Sequence, residues 1–159
     1  MTSRWRAYGV VTALVAAAGC GGGRAPSAPS APQSFLAGTW NGTLTIEREG
    51  EATTSGSTTW TFEVVSGTNL QTFRVTIRSQ HAWLPITTTV TSAITPSNTP
   101  PARISTQGDY PSPRGCTGSL LSVGTADATR IDADFSGVDC PTLQHSTFRG
   151  SVTLTKAGA

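Results

Sequence analysis

Residues 39–47 read TWNGTLTIE, and the prediction of the fold begins from this stretch. Its large apolar residues recur at every second position, so Trp40, Leu44 and Ile46 share one face. Successive side chains of an extended strand point to opposite sides of a sheet, so this alternation predicts a strand with one buried face. The domain is therefore expected to open with a β-strand.

The same period of two residues recurs in TWTFEVV (59–65), TFRVTIR (72–78) and FRGSVTLTK (148–156). Glycine, proline, serine and asparagine cluster between the alternating segments, as they do in turns. The pattern predicts eight strands, at about residues 39–48, 58–66, 71–79, 85–94, 102–108, 117–124, 130–138 and 147–156. It is typical of an all-β domain. We expect a single eight-stranded antiparallel up-and-down β-barrel, with a β-sandwich as the alternative.

The first 24 residues, MTSRWRAYGVVTALVAAAGCGGGR, have the composition of an export signal. Arg4 and Arg6 precede an uncharged, mostly apolar run over 7–19, which is shorter than the roughly 20 apolar residues that span a bilayer. A charged start, a short apolar run and small residues at its end are typical of a signal peptide. Residues 1–19 are accordingly left out of the fold.

The end of this run resembles the lipobox of bacterial lipoproteins, with Ala18, Gly19 and Cys20 in the last three places of that pattern. The resemblance implies that Cys20 becomes the lipidated first residue of the mature chain and anchors it to a membrane. Gly21 stands where that family places a retention aspartate for the inner membrane. In a cell with two membranes, the resemblance therefore implies the periplasmic face of the outer membrane.

Residues 20–34 consist mainly of glycine, alanine, proline and serine, so they are expected to form a disordered tether. The domain is expected over 35–159. Of the 11 Lys and Arg residues two lie in the signal, which leaves 9 against 9 Asp and Glu. A neutral mature chain without a basic patch argues against a nucleic-acid partner.

In an exported chain, Cys116 and Cys140 are expected to form a disulfide. Their midpoint lies between the sixth and seventh strands, which indicates a hairpin. If the two cysteines are cross-strand partners, this register places the apolar residues of both strands on one face. It pairs Val123 with Ala133, Leu121 with Phe135, and Ser119 with Gly137.

The sequence shows no catalytic or metal-binding motif. His81 and His145 are expected in surface loops, and Asp132 and Asp134 on the solvent face of a strand. We therefore predict a protein that is not an enzyme and that needs no metal or cofactor.

Six aromatic residues and one leucine fall on faces that the alternation turns inward. They are the candidates for lining a ligand cavity or packing the core: Trp40, Trp60, Phe62, Phe73, Leu121, Phe135 and Phe148. A small barrel either packs its interior with such side chains or holds one small ligand among them. Trp83 precedes a strand and is expected to cap one end of the barrel.

The segment LAGTWNG (36–42) is similar to the first-strand G-x-W signature of lipocalin-like barrels, with Gly38 and Trp40 in the matching places. The resemblance implies a barrel whose floor is closed by Trp40. It also implies that an arginine near the last strand packs on that ring, and Arg149 is the candidate.

Three functions remain open. The first is a non-catalytic lipoprotein of the cell envelope that binds a small apolar ligand in the barrel. The second is a protein-interaction or structural envelope lipoprotein that acts through loops such as TPSNTPP (95–101) and GDYPSPRGC (108–116). The third, an enzyme, has the least support.

Overall fold

The chain folds into a closed antiparallel β-barrel in which each strand pairs with its neighbours in sequence. The structure, a computed structural model, describes residues 34–65, 71–95, 99–140 and 146–158. Cys20, the predicted signal and all of the tether except Ser34 lie outside the described residues. β8 pairs with β1 and closes the sheet, so the barrel is confirmed and the β-sandwich alternative is wrong.

Eight strands lie in the described part of the chain. They are β1 (Gly38–Arg48), β2 (Thr54–Val64), β3 (Thr72–Ser79), β4 (Thr87–Thr95), β5 (Ala102–Pro111), β6 (Thr117–Ala126), β7 (Arg130–Val138) and β8 (Thr147–Lys156). β2 begins earlier than predicted, because Ser55 and Gly56 pair with Thr45 and Leu44 instead of forming a turn. Gly56 fits there because a Cβ atom would lie 2.5 Å from the Cα of His81.

The barrel closes with a stagger of ten residues along β1. A path through paired residues leaves β1 at Gly38 and returns to it at Arg48. Between them it passes through Phe62, Val75, Val90, Gly108, Leu120, Gly137 and Phe148. Such a stagger tilts the strands, and an eight-stranded barrel of this kind has room for packed side chains or for one small ligand.

The disulfide between Cys116 and Cys140 is present, but the predicted register of β6 and β7 is wrong by one residue. Phe135 pairs with Ser122 rather than with Leu121, and Ala133 pairs with Gly124. Cys140 lies beyond the end of β7 with a left-handed backbone (φ 56°), so the two cysteines are not part of the regular ladder. A shift of one residue moves every side chain of a strand to the other face.

Leu121 consequently does not belong to the interior. It points outward with Val123, and the two side chains are 43% and 44% exposed. The inward positions of β6 instead carry Gly118, Leu120, Ser122, Gly124 and Ala126, of which only Leu120 has a large side chain. Most inward side chains of β6 are therefore small.

The acidic residues of β7 point to solvent, as predicted. Asp132 accepts hydrogen bonds from Arg130 and from the hydroxyl of Thr153, and the bond from Arg130 is the main reason why the pKa of Asp132 lies below its usual value. Asp134 is also exposed. These carboxylates are therefore part of the outer surface of the sheet.

Candidate functional site

One half of the barrel interior is aromatic. Trp40 on β1, Trp60 and Phe62 on β2, and Phe73 on β3 are all buried, as predicted, and we call these four residues the aromatic wall. Their rings contact one another in a chain, with centroids 6.4 Å apart for Trp40 and Phe62 and 6.1 Å apart for Phe62 and Phe73. Edge-to-face packing of this kind adds to the hydrophobic gain of burial and fixes the ring orientations.

The other half of the interior carries small and hydroxyl-bearing residues. Ser92 on β4 pairs with Thr106 on β5, which pairs with Ser122 on β6. All three are at most 3% exposed, and we call them the hydroxyl row. Phe73 and Phe135 pair with the two ends of the row. Since β5 lies opposite β1 in an eight-stranded barrel, the hydroxyl row faces the aromatic wall across the interior.

Two of the three hydroxyls are hydrogen bonded within the sheet. Thr106 Oγ1 donates to Ser92 Oγ (2.9 Å), and Ser92 Oγ donates to the carbonyl oxygen of Ser105 (3.1 Å). Ser122, which completes the row, is 3% exposed.

The end of the barrel that contains Trp40 is tightly closed. Trp40 is fully buried, and its Nε1 donates to the carbonyl oxygen of Leu36 (2.8 Å). The cation on its ring is Lys156, whose Nζ lies 5.4 Å from the centroid and also donates to the carbonyl oxygen of Phe35. We call this region the Trp40 end.

The expectation that Arg149 packs on Trp40 is wrong. Phe148 occupies the inward position of β8, so its neighbour Arg149 points to solvent. There it donates two hydrogen bonds to Glu47, at 2.8 and 3.1 Å, and these lower the pKa of Glu47. Lys156, seven positions after Arg149, pairs with Trp40 and lies over its ring instead.

The opposite end, which we call the Trp83 end, is differently built. Trp83 caps it from the β3–β4 loop and packs edge-on against Phe148, with ring centroids 5.3 Å apart. The guanidinium groups of Arg48 and Arg114 each lie 4.6 Å from the Trp83 ring centroid. Burial, and in second place the charge of Arg114, lowers the pKa of Arg48. Trp83 Nε1 is buried and has no hydrogen-bond partner among the described residues.

A buried carboxylate holds one of these arginines. Asp139 is 2% exposed and forms an ion pair with Arg114, while its other oxygen accepts a hydrogen bond from the Tyr110 hydroxyl (3.0 Å). Burial, together with the Asp139 charge, raises the pKa of Tyr110 well above its usual range. The Cys116–Cys140 disulfide joins the loop that carries Arg114 to the chain next to Asp139. Because its sulfurs are bonded to each other, neither is a free thiolate for a metal ion.

His81 is buried, at 1% exposure, so its predicted place on the surface is wrong. Its Nδ1 accepts the backbone N–H of Trp83 (3.1 Å), which leaves the ring proton on Nε2, facing Thr54 Oγ1 (3.1 Å). The imidazole therefore positions the Trp83 loop. Nothing in the flanking sequence SQHAWLP signals this contact, because Thr54 is distant in the chain. His145 lies outside the described residues.

Surface concavities lie at the rim of the Trp83 end and on the outer face of the sheet. One of about 580 Å³ lies at the rim beside Arg48 and is lined by Glu51 and Phe148 among others. Another of about 700 Å³ runs along β5–β7 and includes Leu121 and Val138.

No protein-family model and no curated protein matches the chain. Among solved structures it resembles that of EF1p2_mFAP2b bound to DFHBI, with a TM-score of 0.57 and 18% sequence identity over 77% of this chain and 94% of that chain. At this identity the likeness supports the barrel fold alone. In the described ranges, no helix is long and apolar enough to cross a membrane.

Proposed function

We propose that this protein is a non-catalytic binding protein that holds a small apolar ligand inside the barrel, between the aromatic wall and the hydroxyl row. The observation that carries the proposal is the pairing of Ser92, Thr106 and Ser122 in one inward row opposite large aromatic rings. Binding sites for small molecules combine mostly apolar walls with a few polar groups that orient the ligand.

The chemistry of the hydroxyl row supports a ligand site. β6 turns Gly118, Ser122, Gly124 and Ala126 inward. The Tyr110 ring occupies the space beside Gly118, and Ala133 lies against Gly124, so the support rests on Ser122 and its neighbours in the row rather than on the glycines. In the proposed complex the Ser122 hydroxyl hydrogen bonds to the ligand.

The neighbour in structure is in keeping with this proposal, because EF1p2_mFAP2b is a barrel of the same fold that was solved bound to DFHBI. The side chains of His81 and Asp139 already hydrogen bond to other residues of the protein, which favours binding over catalysis. The His81 imidazole is hydrogen bonded at both nitrogens, and Asp139 is held by Arg114 and Tyr110. Neither is placed to activate a nucleophile or a water molecule.

We further propose that the barrel is tethered to the cell envelope through lipidated Cys20, on the periplasmic face of the outer membrane in a cell with two membranes. The support is the lipobox-like end of the apolar run and the Gly/Pro/Ser tether that follows it. The intact mass of the membrane fraction should contain the mass of the acyl groups in the wild type and lose it in Cys20→Ser. An unlipidated wild type would refute the anchor.

The ligand site is tested with N-phenyl-1-naphthylamine, a neutral apolar probe whose fluorescence rises in apolar surroundings. The protein is the full chain carrying Cys20→Ser, so that no acyl chain competes. We expect saturable binding that is lost in Ser122→Leu, which extends a side chain into the interior. Ser119→Leu is the matched control, because Ser119 lies on the same strand but points outward. Absence of saturable binding in the parent protein contradicts the proposed function.

A further inference from the structure

We infer that the ligand is an amphipathic organic monoanion whose carboxylate binds at the Trp83 end, between Arg48, Arg114 and Trp83 Nε1. This inference rests on the proposed function, since the apolar part of the same molecule would lie in the barrel. It adds the chemical class of the ligand and its orientation.

The Trp83 end has more hydrogen-bond donors than acceptors. Two guanidinium groups share one indole ring, and each brings five N–H donors. Arg48 is paired with Glu51 and Arg114 with Asp139. Glu47 and Glu49 also line the rim beside Arg48, and Glu47 is paired with Arg149. Asp139 also accepts from Tyr110, which leaves it fewer sites for Arg114. A further acceptor-rich group would satisfy the remaining donors.

The indole N–H of Trp83 is a second, independent indication that a hydrogen-bond acceptor binds at this end. It is a buried donor without a partner among the described residues, whereas Trp40 Nε1 at the other end is satisfied by a backbone carbonyl. A buried N–H that lacks an acceptor costs free energy, and native proteins leave few of them. The indole donor belongs to the residue whose ring both guanidinium groups contact.

The charge balance favours a monoanion. Arg48 with Glu51 and Arg114 with Asp139 form two ion pairs of zero net charge. Burial, and after it the charge of Arg114, lowers the pKa of Arg48. A monoanion between the two guanidinium groups would stabilise both charges. A dianion would be repelled by the two carboxylates. A carboxylate also matches the planar fork of a guanidinium group.

A continuous aromatic surface joins this end to the proposed ligand site. Phe148 contacts Trp83, with centroids 5.3 Å apart, and contacts Phe135 at 5.9 Å. Phe135 in turn pairs with Ser122 of the hydroxyl row. An apolar chain that extends inward from the arginines would therefore follow Phe148 and Phe135 toward the hydroxyl row.

Isothermal titration calorimetry of the full chain carrying Cys20→Ser tests the inference with decanoate and 1-decanol, which differ in the head group. Charge-assisted hydrogen bonds of the expected strength predict that decanoate binds about tenfold tighter or more. This preference should disappear in Arg48→Gln and in Trp83→Phe, with the affinity for decanol unchanged. Arg48→Gln is chosen because its partner Glu51 is exposed, so the variant is expected to fold.

Arg130→Gln is the matched control, because Arg130 is an exposed arginine paired with Asp132 on the outer face. It should keep the full preference for decanoate. If decanol binds and decanoate binds no tighter, the inference is overturned while the proposed function stands. If neither compound binds, both are overturned.

Discussion

The two ends of the barrel are built around the same pair of groups, a tryptophan and a cation, and differ in how completely they are satisfied. At the Trp40 end the indole N–H is hydrogen bonded, the ring is fully buried, and a single Lys156 lies over it. At the Trp83 end the indole N–H has no partner among the described residues, and two arginines share the ring. The Trp40 end therefore has its indole donor satisfied, whereas the Trp83 end retains, beside two cations, an indole donor without an acceptor in the described part of the chain, which is why we propose binding there.

The largest expected effect is the difference between Trp40→Ala and Trp83→Ala in the loss of unfolding free energy. Trp40→Ala removes a fully buried ring from the core and should lower the free energy of unfolding by about 3–5 kcal/mol. Trp83→Ala should lower it by at most about half of that, because Trp83 is partly exposed. Urea denaturation of both variants checks the order. Equal losses would mean that the Trp83 end is as much a structural plug as the Trp40 end.

Removal of the disulfide should weaken the Trp83 end in particular. Cys116 and Cys140 are 24 residues apart, and on the loop-entropy model their bridge contributes roughly 3 kcal/mol. In the Cys116→Ser, Cys140→Ser double variant we expect that loss, and faster hydrogen exchange around Arg114 than around Trp40. Uniform acceleration at both ends would show that the disulfide stabilises the barrel globally instead.

Tyr110→Phe tests whether Asp139 needs both of its partners. The change removes the hydroxyl that donates to a buried carboxylate and should cost about 1–2 kcal/mol. Lys156→Met at the Trp40 end should cost less, about 0.5–1 kcal/mol, because Lys156 is only partly buried and water can replace its contacts with the Trp40 ring and the Phe35 carbonyl oxygen. Thermal unfolding of the two variants gives the comparison. A larger loss of stability in Lys156→Met than in Tyr110→Phe would contradict the expected order.

A pH-dependent effect is expected in the β6–β7 turn, on the side of the Trp40 end. Asp127 accepts hydrogen bonds from the backbone N–H groups of Thr129 and Arg130, both 2.7 Å long, and these lower its pKa below the ordinary 3.8. A lowered folded-state pKa gives stability that is present above the unfolded value and lost as the pH falls through the folded value.

Asp127→Ala should therefore be less stable than the wild type at neutral pH, and the gap should shrink as the pH falls below the ordinary value for aspartate. Urea denaturation at several pH values measures the gap. Decanoate binding at the Trp83 end should not change in this variant. A gap that is constant with pH would mean that the Asp127 charge does not contribute.

The period-two alternation was sufficient to predict the all-β class, the eight strands and most inward faces. It failed at β6, where Leu120 and Leu121 are adjacent, so that alternation alone does not choose which one points inward. The expectation that Cys116 and Cys140 are cross-strand partners then gave the wrong register for β6 and β7. The two cysteines lie beyond the regular ladder, where the left-handed backbone at Cys140 shifts the pairing by one residue.

The Trp83 end was not predictable from the sequence beyond the capping role of Trp83 itself. Its parts come from the end of β1, the β3–β4 loop, the β5–β6 loop, the chain after β7 and the start of β8, and these meet only in the folded barrel. Arg48, Arg114 and Asp139 carry no local periodicity that marks them. The choice of Lys156 over Arg149 likewise depends on which side of β8 faces inward.

The central claim is that the Trp83 end receives the ligand head group and the Trp40 end does not. The most direct measurement is a ¹⁵N NMR titration of the full chain carrying Cys20→Ser with decanoate, in which the indole N–H signals are assigned with Trp→Phe variants. We predict that the Trp83 indole signal shifts on saturation while the Trp40 signal stays in place. A shift at Trp40, or an unmoved Trp83 signal at saturating decanoate, would contradict the claim.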